Sequence, residues 1–448
     1  MTATETGQDL PLSFTQEFLT MFGTGEEAGP FGPKYHVVRG LRLRGELDVE
    51  ALRAALDDIV ARHESLRTLL SLDGQSWRQE IFPPSSPELL EEDLGAVDPD
   101  ARERAAEEFL NRLETTEFSS RTIPHLRAVL GRFDEQDVML ALQAHHVAID
   151  GWSMQLIMSD LIAAYSARAG HPGDGAPAAT TQYREYSAWQ RSSLTEDVVA
   201  RSAAYWREKL RGASMLGIPT DSRRPEDADR VSSVHRFLID SELTSALLNV
   251  ARSTRSTPFM ILMTAYNLLL SELTGARDIT VPTITFGRGH PRFDDTVGPF
   301  FNFVPLRTDL TSCATVADAL ARTRETCIQA QTHEVPFALV LAEAPELMST
   351  FTDDSVAVCA IQVFSNGPGE GRIGELEYSE LRRRVQFQPV GSDIPDGALW
   401  GMEIDPSGEV LGCLRFDSMQ FGRERVAEMT DRYEQVLRRV LMAPDSEV

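Results

Sequence analysis

The chain has 448 residues and a formal net charge of -25, from 68 acidic and 43 basic residues. A single hydrophobic core rarely exceeds about 250–300 residues, so this length predicts two lobes. Such an excess of negative charge, without a basic stripe, argues against nucleic acid and anionic membranes as partners.

The amino terminus and the cysteines favour a cytoplasmic protein. The first residues, MTATETGQDLPLSF, lack the basic and apolar regions of a secretory signal. No apolar run reaches the roughly 18 residues of a membrane span. The four cysteines form no CxxC pair and are typical of core residues in a reducing compartment (Cys313, Cys327, Cys359 and Cys413).

The first clear elements are a strand and a helix. Residues 35–43 (YHVVRGLRL) predict a strand, and Asp48 can cap the helix that follows it. In that helix, apolar side chains recur at helical spacing and share one face (Leu52, Leu56, Ile59 and Val60).

A second strand and helix enclose the run HHVAIDGWS at residues 145–153. Residues 137–145 (DVMLALQAH) are nearly continuously apolar in the middle, which favours a buried strand. Apolar side chains then recur at helical spacing (Met154, Ile157, Met158, Leu161, Ile162 and Tyr165). The run therefore lies at a strand end and a helix start, where α/β proteins tend to place reactive groups.

Residues 170–181 (GHPGDGAPAATT) are rich in Gly, Pro and Ala and predict a linker. We expect a boundary there, between an amino-terminal lobe of residues 1–175 and a carboxy-terminal lobe of residues 176–448. The second half repeats the alternation of elements, with a helix at 258–273 and strands at 278–286 and 356–364. The pattern predicts an α/β protein.

The run HHVAIDG carries the sharpest chemical signal. An imidazole can accept and return a proton near neutral pH, as acyl transfer to an amine or alcohol requires. Gly151 permits a tight turn before the helix. Two structural histidines bonded to the backbone are an equally good interpretation of the isolated run. Metal binding is disfavoured, because adjacent histidines on a strand point to opposite faces.

Other catalytic signatures are missing from the sequence. Ser153 lies in GWSMQ and not in GxSxG, and there is no GxxxxGK[ST] phosphate loop. No cysteine has basic neighbours that would activate a thiolate. An enzyme with this sequence would use His146 to transfer the acyl group directly, without a protein nucleophile.

Beyond this run, a series of motifs resembles the condensation domains of nonribosomal peptide synthetases, in the order of that family. The motifs are LPLSFTQEFL (10–19), RHESLRT (62–68), HHVAIDGWS (145–153), YREYSAWQR (183–191), YWREKLRG (205–212), TFGRGHP (285–291), VGPFFNFVPLR (297–307) and HEVPFALVL (333–341). Their number and order favour a catalytic HHxxxDG run over a structural one.

The resemblance implies two chloramphenicol-acetyltransferase-like α/β lobes arranged as a V with a central tunnel. A peptidyl or acyl carrier protein would bring the donor as a phosphopantetheine thioester. The acceptor would be a small-molecule amine or alcohol, or a group on a second carrier protein. The product would be an amide or an ester in natural-product biosynthesis, and no bound cofactor or metal is expected.

The resemblance also assigns roles to residues of the run. His146 would be the catalytic histidine, acting as a general base or by positioning the acceptor. His145 would shape the site from behind. Asp150 would be structural, held across the lobes by Arg288 of TFGRG.

Three further residues take their expected places from the family. Gly151 would leave room at the tunnel, and Trp152 would pack beside it or fill the core. Asn302 matches the asparagine of the family's NTxPxR run, but Phe303 stands in place of the threonine. The opening run also lacks the family's arginine and tryptophan after the glutamine, and the closing run RFDSMQF (415–421) is weak. These departures indicate a specialised branch. The initial Met1 and the missing adenylation and carrier segments are typical of free-standing condensation enzymes of actinomycete pathways.

Several alternatives stay open on the sequence. A non-catalytic recruitment domain of the same fold usually loses the HHxxxDG run, which this chain keeps. A coenzyme A-dependent acyltransferase and a scaffolding protein are further alternatives. Epimerisation is disfavoured by Trp152, because epimerisation domains usually carry another residue there.

Overall fold

A computed structural model describes residues 5–6, 10–21, 23, 27–74, 76–171, 180–223, 230–365, 369–393 and 397–448. The chain divides into two compact units. Unit 1 comprises Met1–Leu194, Phe286–Phe301 and Asn366–Val385, and unit 2 comprises Thr195–Thr285, Asn302–Ser365 and Gln386–Val448. The predicted boundary at 175 and 176, and linker residues 172–179, lie outside the described residues. No single boundary in the sequence separates the two units, because two later segments of the chain return to unit 1.

The secondary structure, in chain order, is as follows. The helices are α1 (Phe14–Met21), α2 (Val49–Arg62), α3 (Arg102–Glu114), α4 (Gly151–Arg168), α5 (Tyr183–Ser193), α6 (Glu196–Lys209), α7 (Ser241–Ser253), α8 (Pro258–Thr274), α9 (Val316–Thr332), α10 (Phe337–Glu343) and α11 (Arg423–Met442). The strands are β1 (Glu5–Thr6), β2 (His36–Arg44), β3 (Thr68–Asp73), β4 (Ser76–Ile81), β5 (Glu88–Asp93), β6 (Leu126–Asp134), β7 (Asp137–His145), β8 (Gly217–Pro219), β9 (Ser232–Ile239), β10 (Asp278–Thr285), β11 (Asn302–Asp309), β12 (Val356–Ser365), β13 (Glu370–Ile373), β14 (Leu376–Glu380), β15 (Phe387–Gln388), β16 (Ala398–Ile404) and β17 (Val410–Asp417).

Unit 1 is built on a mixed sheet in the order β13-β14-β2-β7-β6-β5, beside a small sheet β1-β4-β3. Helices α2 and α4 contribute to the core on one face, together with Leu140 and Leu142 of β7. Helix α3 packs on the other face, against Met139 and Ala141. Because β7 is covered on both faces, its sequence is apolar without alternation.

Unit 2 is built on a second mixed sheet, in the order β11-β10-β12-β16-β17-β9-β15, with β8 paired to β12. The pairs β10–β12 and β12–β16 are parallel. Helix α8 is buried from Met260 to Leu270, which explains why its sequence is apolar on all sides. Both units thus combine sheets with covering helices, and the predicted α/β class is confirmed.

The elements predicted from periodicity are confirmed. The predicted strand at 137–145 coincides with β7, and those at 35–43, 278–286 and 356–364 match β2, β10 and β12 to within one residue at each end. Asp48 caps α2 as expected, because its Oδ1 accepts a hydrogen bond of 2.9 Å from the backbone N–H of Ala51.

The returning segment Phe286–Phe301 is anchored in unit 1 by aromatic packing. Phe293 and Phe300 form a buried cluster with Tyr183 and Tyr186 of α5. The Tyr183 hydroxyl donates to the carbonyl of Pro299 at 3.0 Å. The ring of Tyr183 lies directly against Gly298, where a Cβ would approach its Cδ2 to 1.9 Å. This position therefore has room for glycine only.

We predict that Gly298→Ala lowers the free energy of unfolding by about 2 kcal/mol or more, because the added methyl must displace a buried ring. Denaturant unfolding would measure the loss. Gly422→Ala is the matched control, since its nearest contact would be an ordinary 3.4 Å. Equal stability losses in the two variants would contradict this account of the segment.

Candidate active site

The predicted run forms the connection between β7 and α4. His145 is the last residue of β7, and Asp150 is the N-cap of α4. The Asp150 Oδ1 accepts a hydrogen bond of 2.6 Å from the backbone N–H of Ser153. Gly151 is the first residue of the helix and is not among the residues with positive φ. The chain does turn before the helix, as expected, but it turns at residues 146–148 and does not need Gly151 for this, and the carboxylate cap starts the helix.

Contacts of both its ring and its backbone hold His146 in one orientation. Its Nδ1 lies 2.7 Å from the carbonyl oxygen of Ile149. Its backbone N–H donates to the carbonyl of Tyr35 at 3.0 Å, and its ring stacks on that of Tyr35 with centroids 4.8 Å apart. A carbonyl oxygen can only accept, so Nδ1 carries the proton in the neutral ring. Nε2 is then the basic nitrogen.

His145 has the opposite tautomer. It is fully buried, its Nδ1 accepts from the backbone N–H of Val147 at 3.3 Å, and its Nε2 lies 3.0 Å from the carbonyl of Gly32. Nε2 therefore carries the proton. Burial, and secondarily the neighbouring His125, holds the pKa of His145 well below its ordinary value. His145 is a neutral side chain behind the site.

Asp150 and Arg288 form a buried ion pair. The Arg288 Nη2 lies 3.4 Å from Asp150 Oδ1, and both side chains are less than a tenth exposed. Arg288 also donates through Nη1 to the carbonyls of Phe293 at 2.8 Å and Thr296 at 2.6 Å. Burial lowers the pKa of the guanidinium and Asp150 raises it. The pair lies inside unit 1, because the returning segment carries Arg288 there, and not across the lobes as expected.

Ser153 is a part of this site that the sequence reasoning missed. Its Oγ donates to the carbonyl of Gly298 at 2.8 Å and accepts from the backbone N–H of Gly298 at 3.0 Å. The Ser153 hydroxyl thus links α4 to the returning segment through two hydrogen bonds, one donated and one accepted. In the sequence, Ser153 stood out only as the last residue of DGWS. It does not match the nucleophile pattern GxSxG, so no role was predicted for it.

Trp152 and Asn302 bind backbone. Trp152 is half-buried, donates from Nε1 to the carbonyl of Asp294 at 3.0 Å, and packs on Phe286. Asn302 belongs to unit 2, where its Nδ2 donates to the carbonyl of Val335 at 3.0 Å. Its Oδ1 accepts from the backbone N–H of Phe337 at 3.0 Å. In unit 2, Asn302 therefore fixes the backbone that leads into α10.

Two more buried histidines lie beside His145. His36 pairs with it across β2 and β7, and the ring of His125 lies 6.2 Å from its ring. Burial lowers the pKa of His36 and lowers that of His125 to about 4. These three imidazoles are therefore neutral at physiological pH.

Among the described residues, no group of three or more His, Cys, Asp or Glu side chains is arranged to hold a metal ion. The helices of the described part of the chain include none that is long and apolar enough to cross a membrane.

Comparison with known proteins identifies relatives over the whole chain. The sequence model of the condensation domain matches residues 7–448. The phosphinothricin tripeptide synthetase PhsC of Streptomyces viridochromogenes is 34% identical over 444 residues, which cover 98% of this chain and 40% of PhsC. The malpibaldin synthetase of Mortierella alpina is 31% identical over 444 residues, which cover 96% of this chain and 8% of that synthetase. The chain thus spans less than half the length of these relatives.

The fold is shared with solved structures. The crystal structure of SgcC5 from Streptomyces globisporus, in complex with an aryl ethanediol and sucrose, is 43% identical, with a TM-score of 0.91 over 98% of this chain and 100% of that one. The X-domain from teicoplanin biosynthesis is 24% identical, with a TM-score of 0.77 over 100% of this chain and 98% of that one. The latter likeness concerns the fold alone.

We predict that the free energy of unfolding falls as the pH is lowered from 6.5 towards 4. In that window the unfolded chain binds a proton at His125 that the folded protein does not, because burial lowers the folded pKa from 6.5 to about 4. The loss from this residue approaches roughly 3 kcal/mol below that window. His125→Asn should remove about one proton from the slope of unfolding free energy against pH. An unchanged slope would contradict a neutral His125.

We predict that Asp150→Asn and Arg288→Ala each destabilise the protein by about 3–5 kcal/mol, because each leaves a buried partner uncompensated. The double variant should lose clearly less than the sum of the two single losses. Thermal and denaturant unfolding of all three would measure the coupling. Arg104→Ala, in an exposed ion pair with Glu108, is the control and should melt like the parent. Simply additive losses would mean that the two side chains do not interact.

Proposed function

Because the chain belongs to the condensation-domain family of nonribosomal peptide synthesis, we propose that it transfers an acyl or aminoacyl group from a carrier protein to an amine or alcohol. The donor is a thioester on the phosphopantetheine of a peptidyl or acyl carrier protein. The product is an amide or an ester.

One observation carries this proposal: the fixed tautomer of His146. The 2.7 Å contact of its Nδ1 with the carbonyl of Ile149 makes Nε2 the proton acceptor. A general base needs a basic nitrogen in a defined direction, and a purely structural histidine does not. His145, one residue earlier, has both ring nitrogens engaged with backbone and is the structural member of the pair.

The proposed reaction proceeds in two proton transfers. The acceptor N–H or O–H gives its proton to His146 Nε2 as its nitrogen or oxygen attacks the thioester carbonyl. The tetrahedral intermediate then expels the phosphopantetheine sulfur, which takes the proton back from Nε2. The imidazole ends neutral, and the Nδ1–H bond to Ile149 is kept throughout.

The choice between amine and alcohol acceptors has support from one relative. SgcC5, 43% identical over nearly the whole chain, was crystallised with an aryl 1,2-ethanediol, whose hydroxyl groups are alcohols. We therefore include an alcohol among the acceptors of this chain, beside the amine that family membership suggests. A 1,2-diol and a primary amine of equal size are the matched test compounds.

The proposal includes no resident cofactor and no metal. Phosphopantetheine arrives with the donor as part of the substrate, and the proton chemistry needs only His146. If activity were lost on adding a chelator and restored by zinc, this part of the proposal would be wrong.

We predict that His146→Ala lowers the single-turnover rate of acyl transfer at least roughly 100-fold, the low end for a positioned general base. The measurement is product formation from a loaded carrier protein with the amine and the diol in parallel. His171→Ala, at an exposed position, is the control.

Three outcomes would redirect the proposal. Equal rates for His146→Ala and the parent would remove His146 from the chemistry. Binding of the loaded carrier without transfer to any acceptor would favour a recruitment domain. Equal rates with a free coenzyme A thioester would favour a soluble acyltransferase.

A further inference from the structure

We infer that Tyr35 is a positioning residue for His146, and that its ring face stabilises the protonated imidazole formed during acyl transfer. This inference rests on the proposed function, in which His146 Nε2 takes a proton. It adds to the site a residue that lies 111 positions earlier in the chain and outside the recognised motifs.

The register of the sheet places the two residues opposite each other. β2 and β7 are antiparallel, and His36 is the partner of His145. Tyr35 and His146 are the next pair in that register, one step beyond the strands. Side chains of such a pair stand close enough for their rings to contact. The contact is therefore a consequence of the strand pairing.

Tyr35 contacts both the ring and the backbone of His146. The rings stack with centroids 4.8 Å apart and an interplanar angle of 17°. The carbonyl of Tyr35 accepts from the backbone N–H of His146, and the N–H of Tyr35 donates to the carbonyl of Gly32, each at 3.0 Å. The Gly32 carbonyl also lies against Nε2 of His145. The loop from Gly32 to Tyr35 therefore holds both histidines of the motif.

The stacked Tyr35 ring affects the charge state of the His146 imidazole as well as its orientation. The face of an aromatic ring is electron-rich and attracts a cation stacked on it. Burial raises the pKa of the Tyr35 hydroxyl, so the ring stays neutral at working pH. The neutral imidazole gains packing from the ring, and the imidazolium gains packing and electrostatic attraction. The contact therefore favours the protonated form that the transfer step produces.

Two described titratable side chains adjoin His146: Tyr35 stacks on it, and His145 precedes it in the chain. Both are uncharged at physiological pH, because burial raises the pKa of Tyr35 and lowers that of His145. His36 and His125, which lie beside His145, are neutral for the same reason. The Phe301 ring also contacts the His146 ring, but edge-on and with centroids 6.0 Å apart, so the stacked Tyr35 ring is the nearer of these two aromatic rings.

The test is the pKa of His146 in Tyr35 variants, measured by NMR titration of ring-labelled histidine and assigned by the signal missing in His146→Ala. Tyr35→Met removes the ring and keeps apolar volume. Tyr35→Phe keeps the ring. Tyr205→Met is the matched control, because Tyr205 stacks in the same way on another histidine, His333, with centroids 4.2 Å apart.

Tyr35→Met should lower the pKa of His146 by about 0.5 to 1, the size of a cation–π contact. The acidic limb of the pH–rate profile should move to lower pH by the same amount. On the plateau above it, the single-turnover rate should fall by roughly 3- to 10-fold. Tyr35→Phe and Tyr205→Met should leave the pKa of His146 unchanged.

The opposite sign would overturn the inference. If Tyr35 only shielded His146 from water, Tyr35→Met would admit water and raise the pKa. An unchanged pKa would equally reject the role. If Tyr35→Met does not fold, progressively fluorinated phenylalanines at position 35 retain the ring and weaken its face, and a pKa that does not fall along that series would reject the role as well. Activity retained in His146→Ala would reject the proposed role of His146 in the chemistry, whereas the NMR titration would still decide the Tyr35 contact.

Discussion

The site depends above all on the buried guanidinium of Arg288. A charge in this position is costly unless most of its donors are satisfied, and of the donors of this guanidinium only Nε has no hydrogen-bond partner among the described residues. Nη1 donates to the carbonyls of Phe293 and Thr296, Nη2 faces Asp150, and the cation lies 4.1 Å from the centre of the Phe300 ring. One side chain thus fixes the fold of its own segment and the start of α4.

The ion pair of Arg288 and Asp150 also affects the orientation of His146, because Asp150 is the N-cap of α4. Asp150 accepts from Ser153 and caps a helix of 18 residues, where the partial positive charge of the helix terminus also favours a carboxylate. With Asp150 fixed, the turn before it is fixed, and the carbonyl of Ile149 is directed at His146 Nδ1. A tautomer at the site therefore follows from an ion pair that takes no part in the proton transfer.

The sequence predicted the elements whose burial is simple. β7 is buried on both faces and is apolar throughout, and α8 is buried on all sides. It did not predict α3 or β5, whose exposed faces carry many charges and little periodicity. Nor did it predict that β14 pairs with β2, because pairing between residues so far apart in the chain leaves no local pattern. For the same reason a single boundary in a glycine-rich stretch could not describe units that the chain enters more than once.

The site shows the same division. His146, Asp150 and Arg288 were assigned roles through motifs. Tyr35 lies outside the motifs, and Ser153 lies inside one but was assigned no role, because the roles of both arise from contacts across the sheet and to the returning segment. A motif identifies which side chains take part, but strand register decides what touches them. The hydrogen-bond partners that set each tautomer are mostly backbone carbonyls, and these have no sequence signature.

The two adjacent histidines illustrate how environment divides one residue type into two roles. If both were charged, their mutual repulsion would make His146 a weaker base. Burial keeps His145 neutral, and its two backbone bonds satisfy it in that form. The neighbour therefore holds the strand end in place without opposing the imidazolium at His146. The burial of one histidine thus preserves the basicity of the next, and the two further neutral imidazoles beside it, His36 and His125, are compatible with that basicity for the same reason.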